Sequence, residues 1–279
     1  MNFTPPQTLR AIPNQNKPRR PFPDFFCIGP QRTGSTWLHA NLVKHPEILM
    51  HRDKETFFLS TLGDQAAPRF KYPTLEDYLD SFRDSTWEKV LKNYHALRRC
   101  GRFYRPRIMG ESTASYCVLA DEILQDIRDL RPDLKVIMLL RHPVERAWSH
   151  ANKDLVRDTG KKASAAEYLE FCSRPDQLAR ADYAGIAARW KAILQPGRML
   201  LAPSTRIESD PEGLIQDVLR FLGASFPHAP SRRHVRTRQN PTAGLAIPEG
   251  LQSDLENLLA REIASFQSLC SRVGDCLIE

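Results

Sequence analysis

An α/β fold, with a central parallel sheet and helices on both faces, is what this sequence predicts. Strand-length apolar runs alternate with amphipathic stretches along most of the chain, and such alternation builds a parallel sheet through crossover helices. One run, LKVIMLL at 134–140, is apolar after Lys135, as a strand buried on both faces must be. The third sign is GPQRTGST at 29–36, a glycine-bounded turn between an apolar run and a helix start. That shape presents backbone N–H groups and a helix N-terminus to an anion.

The elements follow in order. DFFCIG (24–29) reads as the first short buried strand, and STWLHANLVKH (35–45) as a helix ended by Pro46. EILM (47–50) is the second strand. Residues 74–98 read as one helix, RIMGE (107–111) as a strand, and VLADEILQDIRDL (118–130) as an amphipathic helix stopped before Pro132. After the strand at 134–140, PVERAWSHANKDL (143–155) starts a helix with Pro143 in its first turn, where a missing N–H leaves no gap in the ladder. Helices near 164–173 and 180–194, a strand RMLLA (198–202), a helix PEGLIQDVLRFLG (211–223) closed by Gly223, and a helix over 248–271 complete the chain. Function then belongs at the carboxyl ends of the strands.

The 279 residues suffice for one domain, placed at 24–279. Residues 1–23, rich in Pro and Asn, have no apolar stretch and read as a flexible N-terminal arm, not a signal peptide. Cytoplasmic residence is the corresponding expectation. No run approaches the roughly 18–20 apolar residues of a membrane helix. The net charge of +7 points to an acidic ligand or partner. Arginines gather at 98–107 and 232–238, but no nucleic-acid motif accompanies them and no nucleic-acid partner is expected. The six cysteines lack CxxC or Cys/His metal spacing. Only Cys270 and Cys276 are close enough in sequence to raise the question of a disulfide. The composition leaves the oligomeric state open.

The loop carries the chemistry. A nucleotide-hydrolysing phosphate loop reads Gly-Lys-Ser/Thr at its end, its lysine holding the β- and γ-phosphates. Here the end is Gly34-Ser35-Thr36, and Arg32 stands two residues before the glycine. The strand LKVIMLL ends in Arg141-His142-Pro143, where a nucleoside-triphosphate enzyme would place a carboxylate for Mg²⁺. A cation there attracts phosphate and repels a metal. The pattern is a P-loop-like nucleotide-binding fold with no metal site. An atypical P-loop kinase or NTPase and a non-catalytic nucleotide-binding relative stay open at this level.

These residues resemble the sulfotransferases that use 3'-phosphoadenosine-5'-phosphosulfate (PAPS), in feel the heparan-sulfate-type and bacterial members. GPQRTGSTWL is similar to that family's 5'-phosphosulfate loop, and LLRHPVERAWSH to its 3'-phosphate segment, with the spacing of Arg141 and Ser149 matching. The resemblance implies that Arg32, Thr33, Gly34, Ser35, Thr36 and Trp37 hold the 5'-phosphosulfate and that Arg141 and Ser149 hold the 3'-phosphate. KETFF (54–58) resembles a stretch whose glutamate is the general base, which implies Glu55 in that role, with His51 four residues earlier as its rival. MGESTASY resembles a Gly-Glu-x-x-Pro-x-Tyr segment in which Ala114 replaces the proline. Tyr183 has the spacing of a tyrosine that lies against adenine, and the basic loop before Asn240-Pro241 supplies Arg236 or Arg238 as a further PAPS contact. The implied reaction moves a sulfuryl group to an acceptor hydroxyl or amine of a carbohydrate, small molecule or lipid alcohol. It leaves adenosine 3',5'-bisphosphate and needs no metal.

Overall fold

The computed structural model describes residues 20–225, 247–274 and 277–278. The strands are β1 (Phe25–Cys27), β2 (Ile48–Met50), β3 (Ile108–Ser112), β4 (Lys135–Leu140), β5 (Met199–Pro203) and β6 (Leu277–Ile278). They form one sheet in the order β2-β3-β1-β4-β5-β6. The first five are parallel, and β6 adds an antiparallel edge against β5. In chain order the α-helices are α1 (Ser35–Leu42), α2 (Leu75–Asp80), α3 (Thr86–Cys100), α4 (Asp121–Leu130), α5 (Pro143–Ala151) and α6 (Ala165–Ser173). Then come α7 (Pro175–Ala179), α8 (Tyr183–Lys191), α9 (Arg206–Ser209), α10 (Pro211–Leu222), α11 (Glu249–Leu258) and α12 (Ala260–Val273).

The alternation along β4 explains the layers. Val136, Met138 and Leu140 point into one core with Ile127, Trp190 and Leu201. Ile137 and Leu139 point into the other, with Trp37, Leu214 and Val218. Both faces are covered, which is why this strand carries no polar alternation. A third apolar cluster, including Trp148, Tyr168, Phe171 and Leu255, packs α5 against α6 and α11.

Five helix readings change in the structure. The single helix expected over 74–98 is two, because Ser85 accepts the Glu88 N–H while Glu88 caps Ser85 in return, and such a capping box starts a new helix. The helix expected from residue 180 begins at Tyr183, where the Asp182 side chain accepts the Gly185 N–H. The helix expected over 118–130 begins at Asp121, and residues 114–118 form a 3₁₀ turn. The helix starting at Pro143 loosens after Ala151 into a π-turn over Asn152–Arg157. The helix over 248–271 is interrupted at Leu259. β6 was not anticipated: two residues carry no readable period.

Strand order places the site. β1 lies between β3 and β4, so the chain leaves β1 towards one edge of the sheet and β4 towards the other. The loops after these two strands diverge and open a crevice at their carboxyl ends. Gly29 begins the first loop with φ +87°, and a Cβ there would lie 2.6 Å from the backbone of Ala114. Gly29→Ala is therefore expected to destabilise the protein by about 2 kcal/mol or more, read as a lower denaturation midpoint in urea.

Candidate active site

Between β1 and α1 the chain turns through three left-handed residues, Gly29, Arg32 (φ 70°) and Gly34 (φ 103°). A non-glycine residue in that region is strained, and such strain collects at functional sites. Thr33 Oγ1 braces the turn by donating to the Pro30 carbonyl at 2.8 Å. Gly34 then leads directly into α1, whose first residues are Ser35, Thr36 and Trp37.

The loop after β4 locks onto this turn. Arg141 donates through Nη1 to the Arg32 carbonyl at 3.1 Å and through Nε to Glu145 Oε2 at 3.2 Å. Arg32 donates through Nε to Ser149 Oγ at 2.8 Å. The two segments singled out in the sequence, 109 and 117 residues apart at these contacts, meet at one point. The Arg32 guanidinium has its pKa lowered by burial and then by the like charges of Arg157 and Arg141. A buried guanidinium with like charges beside it is a site suited to an anion.

These residues line a cavity of about 780 Å³. Arg32, Thr33, Gly34, Ser35, Thr36 and Trp37 form one part of its wall with Arg141, and Glu55 faces the same space. Ser149 reaches it through Arg32. Tyr183 is 1% exposed; it is not among the lining residues and donates from its hydroxyl to the Arg141 carbonyl at 2.7 Å. In this structure it holds the end of β4. Arg236 and Arg238 lie outside the described residues.

The wall also holds cations that the sequence reading passed over: Lys54, Arg69, Lys153, Arg157 and Arg180. The π-turn after α5 turns Lys153 and Arg157 inward, and such turns are frequent at functional sites. Arg180 is fixed by Gln31 Oε1 at 3.1 Å. Only their placement marks these residues; their spacing in sequence carries no motif.

The segment bearing Glu55 is held from beneath. Phe58 is buried and stacks on Tyr78, with ring centroids 4.3 Å apart. The Thr56 N–H donates to Thr113 Oγ1 at 3.0 Å, and Thr56 Oγ1 lies 3.0 Å from the Tyr116 hydroxyl. Phe57 stays in the cavity wall, with the Arg69 guanidinium 4.5 Å above its ring. Glu55 itself pairs with Lys54 at 3.2 Å.

His51 lies away from the cavity. It is buried and absent from the cavity wall. Its Nδ1 accepts the Asp53 N–H at 3.0 Å, and its Nε2 lies 2.7 Å from Ser81 Oγ. Burial pushes its pKa down to about 4. Glu111, beneath the Glu55 segment, is wholly buried, and burial raises its carboxyl to about 7 against the opposing hydroxyls of Thr56, Tyr116, Tyr78 and Thr113.

A family model described as the sulfotransferase family matches residues 23–228. The chain belongs to the sulfotransferase family. Human bifunctional heparan sulfate N-deacetylase/N-sulfotransferase 3 is 25% identical over 230 residues, which cover 78% of this sulfotransferase and 24% of that protein. Mouse heparan sulfate glucosamine 3-O-sulfotransferase 6 is 26% identical over 230 residues, covering 78% and 59%. The chain thus spans about a quarter of the first relative and under two thirds of the second. Among solved structures, a sulfotransferase from Alicyclobacillus acidocaldarius aligns with a TM-score of 0.61 and 24% identity, covering 90% of this chain and 96% of that one. That likeness is one of fold.

Glu111 yields a pH prediction. Between its ordinary value of 4.5 and about 7, the folded protein keeps a proton that the unfolded chain has lost, so this carboxyl's contribution to stability falls as pH rises through that window and is level above it. Buried His39, His51 and His150, pushed down to about 4, act in the opposite sense. The readout is therefore the stability of wild type minus that of Glu111→Gln. Denaturant titrations from pH 4.5 to 8 should show this difference fall by a few kcal/mol and then level off.

Proposed function

We propose that this sulfotransferase moves a sulfuryl group from PAPS to an acceptor hydroxyl or amine, with Glu55 as general base. The observation that carries the reading is the single cavity in which the Arg32 loop, Arg141 and Glu55 share a wall. When bound, PAPS supplies the sulfuryl group and its 5'-phosphate is the leaving group, so that adenosine 3',5'-bisphosphate remains. Glu55 accepts the acceptor's proton as the new bond to sulfur forms. Arg32 and the N–H groups at the start of α1 stabilise the charge that develops on the leaving phosphate oxygen. Arg141 and Ser149 anchor the far end of the nucleotide, a contact made equally before and during transfer.

The acceptor end is the wall around Glu55, with Lys54, Phe57, Arg69 and Ser115. Heparan sulfate is named for both relatives, and Lys54 and Arg69 suit an acidic carbohydrate of that kind; a small or lipid alcohol fits the same base. A kinase reading would need a phosphate-binding lysine in the loop and a carboxylate at the end of β4, and both positions hold other residues.

Calorimetry is the first test. Adenosine 3',5'-bisphosphate should bind at micromolar concentration without added metal and lose most of that affinity in Arg141→Ala, whereas binding of ATP only with Mg²⁺ would overturn the PAPS reading. With a turned-over acceptor in hand, Arg32→Ala is expected to lower kcat about 100-fold or more. An unchanged kcat with a raised KM for PAPS would remove Arg32 from the leaving-group role. Glu55→Gln should bind the bisphosphate as wild type does while losing about 100-fold or more in turnover.

A further inference from the structure

Helix α3 wears its apolar face outward. Trp87, Val90, Leu91, Tyr94 and Leu97 are exposed at 68%, 53%, 40%, 52% and 39%, while Ala96 alone on this helix is buried. At 100° per residue these five side chains fall within an arc of roughly 120°, and Phe103, 57% exposed, follows just beyond the helix. Scattered apolar residues on a surface mean little, but a contiguous stripe with aromatics marks a docking face.

The charge around the stripe says what docks. Residues 86–107 contain seven Lys and Arg against Glu88 alone, a net of +6 within a chain of +7. Glu88 is turned to the helix cap. Arg102 and Arg107 reach Glu47, and Lys92 reaches Asp84. Lys89, Arg98, Arg99 and Arg105 form no ion pair among the described residues. A second copy of the chain would set this cationic face against itself, and like charges across an interface are costly. The two long segments outside the description offer no complement: 1–19 carry Arg10, Lys17 and Arg19, and 226–246 carry Arg232, Arg233, Arg236 and Arg238, with no acidic residue in either; the short C-terminal remainder outside it holds only Asp275 and Glu279 against the net of +6.

We infer that α3 and the turn after it bind the surface of an anionic lipid bilayer. A helix with Trp, Tyr and Leu on one face and Lys and Arg beside them lies in the interfacial plane, the apolar side chains entering the acyl boundary and the cations meeting headgroup phosphates. A soluble polyanion would satisfy the cations and leave the stripe in water. The surface also adjoins the catalytic segment, since Arg52 reaches Glu88 at 3.8 Å three residues before Glu55.

Trp87 provides the readout, because the other three tryptophans, Trp37, Trp148 and Trp190, are buried. The full chain is mixed with vesicles of phosphatidylcholine alone or with added phosphatidylglycerol. Co-sedimentation and a blue shift of Trp87 fluorescence are expected only with the anionic vesicles and are expected to weaken with salt. Leu91→Ser with Tyr94→Ser, and separately Arg98→Glu with Arg99→Glu, should each weaken the partition about tenfold or more without changing the thermal midpoint of unfolding. Absence of binding to anionic vesicles at low salt overturns the inference. So does binding unaffected by either pair, tighter binding to RNA or dextran sulfate that survives the Leu91 and Tyr94 changes, or a dimer that these changes dissociate.

Discussion

Everything at the catalytic end of this sulfotransferase depends on one cross-brace. Arg141, at the carboxyl end of β4, donates to the carbonyl of Arg32, and the side chain of Arg32 in turn reaches Ser149 on α5. A loop held with three left-handed residues cannot keep that shape by local preference, because the non-glycine member at least is strained. The brace over-determines it from the neighbouring strand. It also collects guanidinium groups whose mutual repulsion is relieved when an anion arrives, so the contact that shapes the loop also prepares the charge it presents.

The segment bearing Glu55 is built on the opposite principle. Among the described residues Glu55 has one ionic partner, Lys54, and its segment is held from beneath, where Phe58 stacks on Tyr78 and the backbone of Thr56 is tied to Thr113. The carboxylate is thus carried at the surface of an aromatic layer. The same layer buries Glu111 completely, and its two oxygens have no hydrogen-bond partner of good geometry among the described residues. A group so placed favours its proton. Two carboxyls close in the fold therefore live in different environments, one paired beside the cavity and one wholly buried, and only the first faces the cavity.

The outward stripe of α3 belongs to neither device. It contributes little to the core; its helix is started by the Ser85–Glu88 cap and tied by Lys92 to Asp84, and the turn after it by Arg102 and Arg107 to Glu47. A helix of this kind gains its stability from its cap and from whatever covers its apolar face, since tertiary packing ordinarily supplies most of a helix's stability. It lies beside the segment leading to Glu55, where Arg52 reaches Glu88.

The sequence by itself determined the elements with a strong period or a chemical signature. The buried strand ending at Arg141, the glycine-bounded loop and the family resemblance of GPQRTGST and RHPVERAWS were legible because local sterics and charge dictate those residues wherever the chain folds this way. The split of the 74–98 helix was written in Ser85 and Glu88, yet helical periodicity masked it. Tertiary structure alone decided the rest. Tyr183 became a support for Arg141, and His51 became a buried hydrogen-bonded ring. Lys54, Arg69, Lys153, Arg157 and Arg180 became cavity wall. None of these residues has a local partner that fixes its role: each depends on contacts between elements distant in sequence, and a one-dimensional pattern does not carry that information.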